Sequence, residues 1–108
     1  MADQAEVAHR NEVLIVGRVS APPQPRTLPS GDEIVSWRMV VGRDGRGQDT
    51  LECTAWSART RRAATAWDTG DVVEVEGAVR RRFWRAAGGA PVSRYDIEVL
   101  RARRLVRA

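Results

Sequence analysis

Apolar and polar residues alternate along most of this chain, and the alternation breaks at a few well-marked places. Residues 12–19 read EVLIVGRV, a short β-branched run bounded by Asn11 and by prolines, which predicts a first strand. Gly17 inside it marks a bulge or a sharp bend. Residues 20–33 carry Pro22, Pro23, Pro25, Pro29, Ser30 and Gly31, and are expected to form a long loop that cannot continue a ladder. Residues 34–41 form a second strand, with Val35, Trp37, Met39 and Val41 on one face and Ser36 and Arg38 on the other. A Gly- and Arg-rich turn follows at 42–48. Residues 49–56 are a third strand, placing Leu51, Cys53 and Ala55 opposite Thr50, Glu52, Thr54 and Trp56.

The period then changes. Ser57 is a good N-cap, and a helical segment over 57–69 is predicted to end at Gly70. Ala63, Ala64 and Trp67 give it an apolar stripe for docking. Residues 71–84 are a long fourth strand that Gly77 lets bend, 86–91 are a flexible hairpin tip, and 93–105 return as a fifth strand with Tyr95, Ile97 and Val99 on one face. Three strands, one helix and two strands is the order of an all-β OB-fold, a five-stranded Greek-key barrel with a helix between strands 3 and 4. That fold binds ligands on the face of strands 2 and 3 and with the loops joining strands 1–2 and 4–5.

With 108 residues the chain is one domain, expected to be an OB-fold over residues 11–108 behind a flexible segment over 1–10. The net charge of +4 suits a polyanionic partner, and every basic side chain other than His9 is Arg. Arginine offers both a fork for phosphate and a flat face that stacks on bases. Cys53 is the only cysteine, which excludes an intrachain disulfide. The start of the chain has no apolar run and no segment is long enough to span a bilayer, so a soluble cytoplasmic, nucleoid-associated protein with no membrane partner is expected.

Single-stranded nucleic acid exposes a charged backbone and bare base faces, so a sequence-tolerant binder needs a basic groove with aromatic platforms. The fourth strand places Arg80, Arg82 and Trp84 on one face, with Val79, Arg81 and Phe83 behind. Trp84 is the first candidate platform, and Arg80 and Arg82 are candidate phosphate contacts. Arg38 joins them on the polar face of strand 2, and Arg26, Arg43 and Arg46 from loops near the groove. Glu74 and Glu76 would repel phosphate and end the groove at Gly77. Trp37 lies with Val35 and Met39 and belongs to the core, as does Trp67 through the helix. His9 is the only histidine, the carboxylates do not cluster at metal-ligand spacing, and GRDGRG lacks the Lys and following helix of a phosphate loop. A non-catalytic protein without cofactor or metal is expected. The competing enzyme class is a metal-dependent nuclease, which a chelator would silence.

Three blocks together resemble the bacterial single-stranded DNA-binding protein family. The first is Asn11, Val13 to Gly17, Pro23, Arg26 and Pro29-Ser30-Gly31; the second is Trp56, the helix, Gly70 and Val75-Glu76-Gly77; the third is the basic run Val79 to Trp84. The resemblance implies Trp56 as a second base platform, DNA replication, repair or recombination as the setting, and a homotetramer. It departs from the family at Thr50 and in the 42–48 turn, where the family places further aromatics. The family's disordered tail with an acidic tip, which recruits repair enzymes, is not in the sequence, which implies a tail-less or truncated member. Two alternatives stay open: a dimeric, primosome-type OB replication accessory protein, and an OB assembly module that binds DNA weakly.

Overall fold

The computed structural model describes residues 6–108. Of the expected flexible segment over 1–10, residues 1–5 lie outside the described residues. The elements in order are β1 (Val13–Val19), β2 (Gln24–Thr27), β3 (Glu33–Gly42), β4 (Gln48–Ala55), α1 (Ala58–Thr65), β5 (Val72–Arg85) and β6 (Pro91–Val106). The sheet order is β1-β5-β6-β4-β3-β2, and β1 also pairs with β3, which closes a barrel of five strands. All pairs are antiparallel except β4 with β6. This is the OB-fold, with the helix between its third and fourth barrel strands.

The Pro-rich stretch departs from expectation. It contains β2, whose Gln24 to Thr27 pair with Ser36 to Glu33 of β3. Pro25 is tolerated there because β2 is the outermost strand among the described residues, with no neighbour there on its far side to need an N–H. Closure depends on Gly17. The ladder to β5 runs unbroken through it, with no bulge, and just beyond it Arg18 and Val19 reach Val40 and Met39 of β3. A Cβ at Gly17 would lie 2.7 Å from the Val40 carbonyl oxygen, so the glycine permits two backbones to approach. The irregularities fall instead in the β5–β6 ladder, at Val72/Val73 and Glu76/Gly77. At Gly77 a Cβ would sit 1.9 Å from the Glu98 carbonyl oxygen, closer than any side chain allows. The expected bend of the fourth strand therefore has a backbone cause.

Alternation buries Val35, Trp37 and Met39 of β3 against Cys53 and Ala55 of β4, Val73 and Val75 of β5, and Ile97 and Val99 of β6. The helix closes one side of this core with Ala64. Its N-cap is Ser57, whose hydroxyl accepts the Thr60 N–H at 3.1 Å. It ends four residues earlier than the sequence suggests. The N–H groups of Ala66 and Trp67 turn to the carbonyls of Ala63 and Ala64, a tighter winding that carries Trp67 inward. Trp67 then meets Trp37 edge-on, with ring centroids 5.2 Å apart. Arg61 ties the helix to the sheet through the Trp56 carbonyl and Glu33. Beyond the helix, buried Asp71 accepts the N–H groups of Asp68 and Ala108 and a bond from Arg104. The Asp68 N–H chiefly, then those other partners, hold its carboxyl below the usual range against the opposing cost of burial.

Cys53 is fully buried in this core. Burial, with smaller contributions from the Asp96 and Glu52 charges, pushes its thiol up to about 12. The folded protein is therefore expected to ignore thiol reagents at neutral pH, and to take up one equivalent on denaturation. Fast labelling under native conditions would contradict this packing.

Candidate nucleic-acid interface

The outer face of β3, β4, β6 and β5 carries the polar half of the alternation. Register fixes which side chains meet. Arg38 is opposite Glu52, Arg80 is opposite Asp96, Arg82 is opposite Arg94, and Trp84 is opposite Val92. The β5–β6 hairpin outruns β4, so its distal half stands clear of the barrel. Between the hairpin and the outer face of β3 and β4 lies a groove of about 390 Å³, lined among others by Arg26, Trp56, Arg82, Trp84, Arg94 and Asp96.

Each groove tryptophan is faced by a guanidinium. Arg82 lies over Trp56 at 5.1 Å from the ring centroid, and Arg94 over Trp84 at 5.5 Å. Acidic residues hold both arginines. Arg82 Nε donates to Asp96 Oδ1 and Oδ2 at 3.0 and 3.1 Å, and Asp96 also accepts the Thr54 hydroxyl at 2.7 Å. Arg94 Nη1 donates to Glu52 Oε2 at 3.2 Å. Glu52 Oε1 takes Arg38 Nε at the same distance, 3.2 Å. Arg80 Nε donates to Glu98 Oε2 at 2.9 Å. Trp84 is 42% exposed, whereas Trp56 is half-buried and its indole N–H has no acceptor among the described residues.

The structure thus brings Trp84, Trp56, Arg82 and Arg26 into one groove. Arg38 and Arg80 share its outer face but do not line it. Arg43 and Arg46 sit apart, at the exposed β3–β4 turn. Arg43 is engaged with Asp49 there, which holds the Asp49 carboxyl below the usual range. Sequence reasoning missed Arg94 and the acidic partners Glu52, Asp96 and Glu98. The signal for Arg94 was available: folding the hairpin about Gly88-Gly89 puts it across from Arg82. The opposite face of the hairpin was also missed as a cluster. There Arg81 lies between Phe83 and Tyr95, at 4.8 and 5.4 Å from their ring centroids, and both rings are largely exposed.

The chain resembles known proteins over most of its length. The chain is 27% identical over 88 residues to single-stranded DNA-binding protein 3 of Listeria innocua, a match covering 76% of this chain and 55% of that one. It is 27% identical over 96 residues to the single-stranded DNA-binding protein of Oceanobacillus iheyensis, covering 83% of this chain and 58% of the relative. The chain therefore spans little more than half the length of these curated relatives. Among solved structures, the mitochondrial single-stranded DNA-binding protein of S. cerevisiae superposes with a TM-score of 0.76 at 14% identity, over 94% of this chain and all of the other. A Plasmodium falciparum SSB in complex with single-stranded DNA superposes with a TM-score of 0.75 at 16% identity, over 93% of this chain and 98% of that one. At such identities the superpositions establish the OB-fold alone. The match to the family described as "single-strand binding protein family" runs over residues 10–105, nearly the whole barrel, and the chain belongs to that family.

Proposed function

We propose that this chain binds single-stranded DNA without catalysis and largely without regard to sequence, in replication, repair or recombination. The observation that carries this reading is the groove in which Trp56 and Trp84 stand beside Arg82, Arg94 and Arg26. Bases stack on Trp84 and on the Trp56–Arg82 pair, each stacked base contributing about 1–3 kcal/mol. Phosphates are taken by Arg26, Arg38, Arg80 and Arg82, with Arg43 and Arg46 as outlying contacts. The protein acts as a homo-oligomer, a tetramer on the family resemblance. Leu14 and Leu100, both mostly exposed, line one cleft on the outside of the barrel and would be covered by a second copy.

The test is a tryptophan-fluorescence titration with poly-dT, with the mass followed by light scattering. Log affinity is expected to fall linearly with log salt, by about 0.7 for each phosphate neutralised on a single strand. Affinity for duplex is expected to be far weaker, because pairing hides the base faces. Equal binding to duplex and single strand would sink the stacking mode, and the mass of a single chain would sink the assembly.

A further inference from the structure

The arginines that would take phosphate on the sheet face are already engaged, but their acidic partners are not alike. Asp96 is nearly buried, and besides Arg82 it accepts the Thr54 hydroxyl. It holds Arg82 over the Trp56 ring and belongs to the framework of the groove. Glu52 has a side chain 34% exposed, and the bonds it accepts come from Arg38 and Arg94 alone among the described residues. Arg94 in turn covers the Trp84 ring. A single carboxylate thus holds a phosphate contact with one oxygen and, with the other, a lid over a base platform.

We infer that Glu52 is a built-in competitor for DNA, a specificity-determining residue that stands in for phosphate at Arg38 and keeps Arg94 over Trp84 until a strand displaces both. The inference rests on the proposed single-stranded DNA binding at this groove. Ion pairs this exposed are weak enough to be exchanged for phosphate. The exchange has an ionic signature. Each phosphate neutralised releases condensed cation from the DNA, while the freed Glu52 carboxylate, left beside the strand, offsets part of that neutralisation. The salt slope of the native protein is therefore shallower than its number of phosphate contacts. The device also selects the ligand. A polyanion without bases can displace Glu52 but gains nothing from uncovering Trp84, whereas a single strand gains both contacts.

The experiment titrates the full chain with poly-dT at several salt concentrations, comparing the native protein with Glu52→Gln and Glu74→Gln. Gln keeps the size and hydrogen-bonding reach of Glu52 and removes its charge. Glu74 pairs with Arg103 outside the groove, so its variant controls for one unit of net charge. Glu52→Gln is expected to bind about three- to tenfold tighter at low salt. Its salt slope is expected to steepen by up to about 0.7. Glu74→Gln is expected to change affinity by less than about twofold, since its charge is distant and screened. Weaker or unchanged binding by Glu52→Gln would overturn the inference, and weaker binding would mean that Glu52 organises Arg38 and Arg94 for DNA instead. An equal gain from Glu74→Gln would also overturn it, reducing the effect to net charge. If the native protein fails to bind poly-dT at all, the proposed function falls and the competitor falls with it. Tight native binding with an indifferent Glu52→Gln removes the competitor alone.

Discussion

Trp67→Ala is expected to cost about 3–5 kcal/mol of folding stability, the usual range for truncating a buried large aromatic. Trp67 is 5% exposed and stands edge-on to Trp37, itself 5% exposed, where the end of the helix meets the barrel. Truncation would remove the aromatic pair and leave a cavity lined by residues that the β3–β4 ladder and α1 hold in place. Collapse into it is limited, because Ala64 and Cys53 are small and already fully buried. A domain of this size has roughly 5–15 kcal/mol in total, so the loss would be a large share of it. The measurement is the midpoint of guanidinium or thermal unfolding. A loss below about 1 kcal/mol would mean that the ring is not packed as described. DNA affinity measured on the folded fraction should survive, because Trp67 lies on the opposite side of β3 and β4 from the groove.

The strands that alternate cleanly were legible before any coordinates. Val35, Trp37 and Met39 face inward and Arg38 outward, and Arg82 and Trp84 of β5 share the groove. The helix was legible at its start, where Ser57 caps it, and illegible at its end. Propensity favours continuing through Ala66 and Trp67, and only the barrel's need for an aromatic stopper overrides it. β2 was hidden for a different reason. A proline argues against a central strand but not against an edge strand, and edge status is a property of the sheet rather than of the segment. Gly17 carries the same lesson, since its constraint comes from Val40, distant in sequence. The site divides along the same line. Trp56, Trp84 and Arg82 are visible as residue types on the face that lines the groove. That Glu52 bridges Arg38 and Arg94 requires β3, β4 and β6 to be side by side, which no local pattern states.

Trp84→Ala is expected to weaken poly-dT binding by about 1–3 kcal/mol, a factor of roughly five to a hundred and fifty, with the melting temperature nearly unchanged. The ring is 42% exposed on a hairpin that stands clear of the barrel, so its removal exposes no core. Among the described residues its cation–π partner is Arg94, an exposed pair worth about 0.5–1 kcal/mol. Trp56→Ala should weaken binding similarly but cost more stability. Trp56 is half-buried under Arg82, and its carbonyl anchors Arg61 from the helix. The contrast tests which face of the hairpin carries the strand, because β5 places Phe83 and Tyr95 around Arg81 on the other side, 70% and 62% exposed. Those two rings also satisfy the general requirement for stacking platforms beside a guanidinium. What favours the Trp84 face is company: Trp56, Arg26, Arg82 and Arg94 surround the same groove, whereas the Phe83 face has Arg81 alone between its two rings. Should Phe83→Ala and Tyr95→Ala lose affinity while Trp84→Ala binds normally, the DNA runs along the opposite face, and Arg80 and Arg82 leave the list of phosphate contacts with it.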